Sequence, residues 1–395
     1  MIFLALIYLA FISLGLPDSL LGSSWPIMSV EFGSPVESAG IISMIISMGT
    51  IVSSLLAHRV IKRFGTGKVT VVSVAMTAFA LLGFSLSGSF MWLPIFAIPL
   101  GLGAGAVDSG LNEFVAEHYE AKHMNWLHSF WGLGAMLGPI LISALTQLGH
   151  NWRSGYLSVS VIQFVLVALL LFSLPMWKKY EKNSVNPNHD DSKHHKKQGK
   201  GLFAPLRAKG AIFAMLAFFL YTSVETSVAL WGTSYLVRIK SIQPEIAAGW
   251  GSLFFLGITI GRMLSGFVSM KLNNEQLIRL GCILLLVGVV VLILPLPVIF
   301  SLVAFILIGL GLAPIFPSLL HQTPVYFGKY DPQASMGLQM AFAYTGTTLM
   351  PLIFGKLFSF VSFTLMPYVL LVFGIGLLIS TVLLSIKAKD NASEA

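Results

Sequence analysis

The chain has 395 residues, of which 56% are apolar and only 10% charged, with a mean hydropathy of +0.84 and a formal net charge of +8. That much apolar surface exceeds what one or two water-soluble cores can hold, and implies a chain that crosses a membrane many times. The basic residues sit between apolar runs and not on a polar domain, so they are read as topology signals and not as a nucleic-acid surface.

A bilayer core of about 30 Å needs roughly 20 apolar residues per helix. Splitting the sequence at its charged, Pro/Gly and Asn-rich breaks predicts twelve such segments, near 2–29, 38–60, 68–88, 90–115, 127–148, 153–176, 210–236, 247–270, 275–294, 297–320, 334–359 and 363–386. The first has no Lys or Arg through residue 17, so it lacks the basic region of a cleaved signal peptide and is expected to stay as a span.

With the amino terminus inside, the even-numbered loops hold Arg59, Lys62, Arg63, Lys68, Lys122, Lys271, Arg279 and Lys329, while the opposite loops hold Arg153, Arg238 and Lys240. This asymmetry predicts both termini on the cytoplasmic side. The hydrophilic stretch KKYEKNSVNPNHDDSKHHKKQGK divides six spans from six. The expected domains are a first bundle over 1–177, a basic linker over 178–208, a second bundle over 209–388 and a tail over 389–395.

In the first segment, GLPDSLLGSSWP places Asp18 about 24 Å along the helix at 1.5 Å per residue. A carboxylate facing lipid is costly, so Asp18 is expected to face a cavity and bind a proton or polar solute groups; alternatively it satisfies backbone freed by Pro17. Between segments two and three, AHRVIKRFGTGK supplies Arg59, Arg63 and Lys68, charges suited to holding helix ends together in one transport state.

The fourth segment carries GLGAGAVDSGLNEFV, in which Asp108 and Asn112 are four apart and share a face. Its glycines permit close helix approach. Glu113, nearer the cytoplasmic end, reads as a gate or as a solvated ion pair. The fifth, MNWLHSFWGLGAMLGP, sets His128 and Trp131 three apart, roughly on one face. His128 is read either as a helix-packing hydrogen bond or as a proton or solute contact.

The seventh segment, FFLYTSVETSVALW, holds Tyr221, Glu225 and Trp231, and the eighth, GITIGRMLSGFVSMKL, holds Arg262, a gating contact or a snorkelling side chain. Cys282 lies in the apolar ninth segment and is read as packing. In the eleventh, Gln339, Tyr344 and Thr345 offer neutral hydrogen-bonding groups. Trp25, Trp231, Tyr221 and Tyr344 could stack on a sugar ring, whereas Trp92 and Trp152 read as interfacial anchors.

A shift of 208 places Gly49-Thr-Ile-Val-Ser-Ser on Gly257-Ile-Thr-Ile-Gly-Arg and Gly101-Leu-Gly on Gly309-Leu-Gly; the fifth and eleventh segments align with a shift of 212. Such weak similarity between halves is the mark of a parallel repeat about an axis along the membrane normal. A shift of 207 relates Asp18 to Glu225, so the two carboxylates are expected to face each other across a central cavity. Asp108 maps to Phe316 within APIFPS, so the acid of that pair is one-sided. No phosphate-cradling loop or nucleophile motif is present, so neither an enzyme activity nor a cofactor is expected. The tract of His189, Asp190, Asp191, His194 and His195 reads as a solvated charge run, with no metal site.

The twelve-span, six-plus-six pattern resembles the major facilitator superfamily. The 57–68 loop resembles that superfamily's loop motif through Arg59, Arg63, Gly65 and Lys68, with His58 where the usual aspartate would stand. GLGAGAVDSGLNEFV, FFLYTSVETSVALW, GITIGRMLSGFV and IGLGLAPIFP resemble its fucose permease branch, which includes bacterial glucose/mannose permeases.

The resemblance implies an all-α polytopic membrane protein of two pseudo-symmetric bundles that takes up a neutral hexose with a proton. Asp18 and Asp108 then match the acids of segments one and four, and Glu225 an acid of segment seven. Proton coupling is expected at Asp108, Asp18 and Glu225. Solute binding is expected at Asp18, Asn112, His128, Trp131, Tyr221, Glu225, Trp231, Gln339 and Tyr344, and gating at Arg59, Arg63, Lys68, Glu113 and Arg262. The expected partners are a monosaccharide, a proton and the lipid bilayer, with the protein a monomer. The alternatives are proton-driven export of drugs or amphiphilic metabolites, and lipid handling.

Overall fold

A computed structural model describes residues 2–119, 121–184, 204–327 and 332–393. The linker's His189, Asp190, Asp191, His194 and His195, together with Lys329, lie outside the described residues. Among the described residues fifteen α-helices follow one another: α1 Ile2–Asp18, α2 Leu20–Glu31, α3 Ser38–Phe64, α4 Thr66–Leu86, α5 Trp92–His118, α6 Ala121–Gln147, α7 Trp152–Ser184, α8 Ala211–Arg238, α9 Pro244–Val268, α10 Asn274–Ile293, α11 Phe300–Leu312, α12 Ile315–His321, α13 Thr323–Phe327, α14 Pro332–Phe360 and α15 Met366–Ser393. No strand occurs among the described residues.

Helices dominate because a backbone in hydrocarbon must satisfy its own N–H and C=O groups. Their outward faces carry large apolar side chains such as Leu55, Phe79, Phe172 and Phe267, all exposed, as suits contact with lipid tails. Among the described residues, eleven helical spans are long and apolar enough to cross a membrane, with α1 and α2 forming one of them and α11 and α12 another. The remaining expected segment, the eleventh, is the 29-residue helix α14. Its Gln333, Gln339, Thr345, Thr347, Thr348 and Lys356 dilute its apolar content, which keeps it out of that set.

Two compact units form, one of Met1–Asn188, Ala229–Phe255 and Pro351–Phe360, the other of His189–Val228, Leu256–Met350 and Val361–Ala395. Their borders fall inside α8, α9 and α14, where the expected bundles kept those helices whole. The first unit takes in those helix segments through tight contacts: a Cβ on Gly22 would lie 2.2 Å from the Ala229 carbonyl oxygen, and one on Gly40 would lie 2.7 Å from Leu352 Cα. The Trp231 indole also donates to the Pro351 carbonyl at 2.9 Å within this unit.

The first unit is centred on Phe3, Ile7, Phe11, Val74, Leu111, Phe114, Leu127, Leu170 and Trp177, contributed by α1, α4, α5, α6 and α7. Small side chains draw α3 against α5, where Thr50, Ser53 and Ser54 donate to the carbonyls of Gly101, Leu102 and Gly105. The internal repeat is visible here. A Cβ on Gly49 would lie 3.2 Å from Gly101 Cα in the first unit, and one on Gly257 would lie 3.1 Å from Gly309 Cα in the second. These are the residue pairs related by the shift of 208. Gly65, at φ +83°, makes the one-residue link between α3 and α4 that the loop motif requires.

Candidate functional site

The first span is broken where Asp18 stands. Pro17 has no N–H to give the carbonyl of Ser13, four residues back, and its ring crowds that carbonyl. The Gln163 amide from α7 donates to the Ser13 carbonyl at 2.9 Å and accepts from Thr77 at 2.8 Å, so the freed acceptor is satisfied away from lipid. The helix ends at Asp18 and resumes at Leu20.

Asp18 is exposed, so its carboxylate is not packed into the protein core. Trp131 donates its indole N–H to Asp18 Oδ2 at 2.8 Å. The approach of α1 to α6 that makes this possible needs glycine on both helices: a Cβ on Gly15 or on Gly134 would sit 2.1 Å from the carbonyl oxygen of Trp131 or Ile12. His128, one turn before Trp131, is half-buried with its ring edge-on to Phe11 at 5.9 Å.

Asp108 and Asn112 meet as their spacing implies. The Asn112 amide donates to Asp108 Oδ1 and to its backbone carbonyl, both at 2.9 Å. Among the described residues no cationic side chain pairs with Asp108. Glu113, on the same helix, lies 3.3 Å from His58 on α3, both near the α3–α4 turn. Arg59, Arg63 and Lys68 are exposed around that turn, with the Arg63 guanidinium over the neighbouring Phe64 ring.

In the second unit, the Tyr221 hydroxyl donates to Glu225 Oε1 at 3.2 Å, and Arg262 Nη2 approaches the same oxygen at 3.8 Å. The Tyr221 ring leans on Phe316 with centroids 5.4 Å apart. Tyr344 is half-buried on α14.

Other expected solute contacts are occupied by helix packing. Gln339 is 1% exposed; its Oε1 accepts from Thr323 at 2.8 Å, while its buried Nε2 has no hydrogen-bond partner among the described residues. Trp231 and Trp25 are fully buried, with the Trp25 indole donating to the Val36 carbonyl at 2.7 Å. Trp152, expected as an interfacial anchor, is also buried and donates to Glu31, which pairs with Arg153. Cys282 is buried in packing. Gln163 and the Tyr8–His123 hydrogen bond of 2.9 Å were not singled out by the sequence reading. The proline four residues after Ser13 was the available signal for a buried donor. A cleft of about 610 Å³ is lined by Ile140, Ser143, Ala144, Gln147, Leu148 and Gly249, none of them a candidate residue.

A family model described as Major Facilitator Superfamily matches residues 7–333. The chain is 26% identical over 354 residues to the glucose/mannose transporter GlcP of Bacillus subtilis (strain 168), covering 88% of this chain and 86% of that protein. It is 24% identical over 333 residues to the 3-(3-hydroxy-phenyl)propionate transporter of Escherichia coli (strain K12), covering 82% and 77%. The partially occluded inward-open structure of the xylose transporter XylE from E. coli matches with a TM-score of 0.74 at 13% identity, over 96% of this chain and 95% of that one. At that identity the likeness concerns the fold.

Proposed function

Because the chain belongs to the Major Facilitator Superfamily, we propose that this membrane transporter carries a neutral hexose-type sugar together with protons by alternating access. The observation that carries the reading is the exposed Asp18 carboxylate at the helix break, with the Trp131 indole fixed on it at 2.8 Å. A carboxylate accepts from sugar hydroxyls, and an indole face suits the C–H face of a sugar ring.

Proton coupling is assigned first to Asp108. Its side-chain partner is the neutral Asn112 amide, so it can take up and release a proton without stranding a paired cation. The reading of a neutral solute rests on Arg262. This intramembrane cation already faces Glu225, so a carboxylate solute would have to compete with Glu225 for it. The named solutes of GlcP support a hexose, and those of the phenylpropionate transporter define the competing anion. The same reading takes the protein as a monomer in a bacterial-type plasma membrane, and the basic residues of its even-numbered loops support cytoplasmic termini.

A thermal-shift screen of purified protein tests the solute class, because a ligand at a hundredfold excess over Kd stabilises by about 2.7 kcal/mol. A hexose should raise Tm in the wild type and fail to do so in Asp18→Asn. A shift with 3-(3-hydroxyphenyl)propionate or a lipophilic cation, and none with any monosaccharide, would refute the sugar reading.

A further inference from the structure

Glu225 and Asp108 are both intramembrane acids, yet their surroundings differ in kind. Glu225 Oε1 takes both protein partners, the Tyr221 hydroxyl at 3.2 Å and Arg262 Nη2 at 3.8 Å. Glu225 Oε2 has no hydrogen-bond partner among the described residues and is not sealed in the interior. The Glu225 side chain is 20% exposed and that of Arg262 21%, so the pair is largely withdrawn from water. The Tyr221 ring leans on Phe316, half-buried, which stands where the repeat places Asp108 in the other half.

We propose that Arg262 is a positioning residue, a permanent counter-ion that keeps Glu225 charged as an acceptor for a solute hydroxyl and so removes it from proton coupling, leaving Asp108 to carry the proton. This rests on the proposed sugar and proton reading. A guanidinium stays protonated throughout the working range, so the ion pair favours the charged form of Glu225, and protonating Glu225 would break that pair in a low-dielectric setting. Protonating Asp108 strands nothing, since its partner is an amide. The proton exchanged with water forms and breaks one O–H bond at Asp108, while the Glu225–Arg262 pair stays neutral as a whole. With one oxygen of Glu225 held by protein and the other without a protein partner, the second unit offers a hydroxyl acceptor on the same helix as the Tyr221 ring, which leans on Phe316. This role differs from the gating contact or snorkelling side chain expected for Arg262 from sequence.

The test has a solute-free arm and a transport arm. In the first, infrared difference spectra of purified protein between about pH 5 and pH 9 report protonated carboxyls. Glu225→Gln/Arg262→Gln removes both charges together and should leave the wild-type carboxyl band in place, whereas Asp108→Asn should remove it. Loss of the band in the double variant with retention in Asp108→Asn would overturn the proposal. In the second arm, proteoliposomes are assayed for hexose exchange and for accumulation under a pH gradient. The double variant should raise the half-saturation concentration about tenfold, the scale of one hydrogen bond to a charged group. At saturating sugar it should still accumulate sugar above the external concentration, because Asp108 is retained. Asp108→Asn should exchange without accumulating. Exchange without accumulation in the double variant, or accumulation in Asp108→Asn, would refute the assignment. If the wild type exchanges no hexose, the sugar reading fails and the infrared arm still decides the proton carrier. If the double variant does not fold, the Asp108→Asn spectrum decides alone: loss of the band supports the proposal and its persistence overturns it.

Discussion

Gln163 on α7 donates its side-chain amide to the carbonyl of Ser13, the acceptor left without its helical donor by Pro17, and this bond sits one turn below Asp18. The break that presents the acid is therefore held by a residue 150 positions away in the chain. Gln163→Leu should strand that carbonyl, at a cost of about 1–3 kcal/mol. The Thr77 hydroxyl, losing its acceptor on Gln163, can turn its one hydrogen to the Val74 carbonyl 2.9 Å away. Pro17→Ala restores a backbone donor, so the double variant should recover part of the lost Tm. Additive losses in thermal denaturation of the two single variants and the double would contradict this coupling.

Trp131→Phe keeps a ring on α6 and removes the N–H that reaches Asp18. A hydrogen bond to a charged group is worth about 1.5–3 kcal/mol, which corresponds to a rise of roughly tenfold or more in sugar half-saturation. Tm should change little because both groups stand at an open site. Equilibrium binding by the variant at wild-type affinity would show that the indole only packs.

The fold was largely legible because its signals are local. Span length, charged breaks and the shift of 208 are readable from composition and periodicity, and Gly49 with Gly101 and Gly257 with Gly309 meet as that shift implies. Asp108 with Asn112 was legible for the same reason, since four residues make one helical turn. The pairs Asp18–Trp131, Glu225–Arg262 and Gln163–Ser13 were not legible as pairs. They depend on how helices that are apolar all round are rotated against each other, and such helices carry no polar face that sets the rotation. The same absence placed Gln339 and Trp231 among the expected solute contacts, although the structure buries both.

Gly134→Ala should be costly, because a Cβ there meets the Ile12 carbonyl at 2.1 Å and backbone cannot swing aside. Overpacking of this kind costs about 1–3 kcal/mol. Gly337→Ala is the control, since nothing lies within 4 Å of a Cβ at that position in α14. Helix propensity there favours alanine by up to about 1 kcal/mol. Thermal unfolding of both variants in detergent checks the contrast, and equal effects would contradict the packing of α1 on α6.

Glu113→Gln should leave Tm nearly unchanged. Its partner His58 is 75% exposed and Glu113 38%, and pairs so open to water contribute about 0–1 kcal/mol. A gating role predicts instead a change in exchange rate at constant half-saturation. A large fall in Tm with unaltered exchange would make the pair structural.

The central claim, proton-driven uptake of a hexose, is tested most directly in proteoliposomes of purified protein loaded with buffer alone. An imposed inward pH gradient should drive labelled glucose or mannose above its external concentration, and a protonophore should abolish the accumulation. Saturable equilibration that never exceeds the external concentration, unaffected by the pH gradient and by membrane potential, would contradict the account.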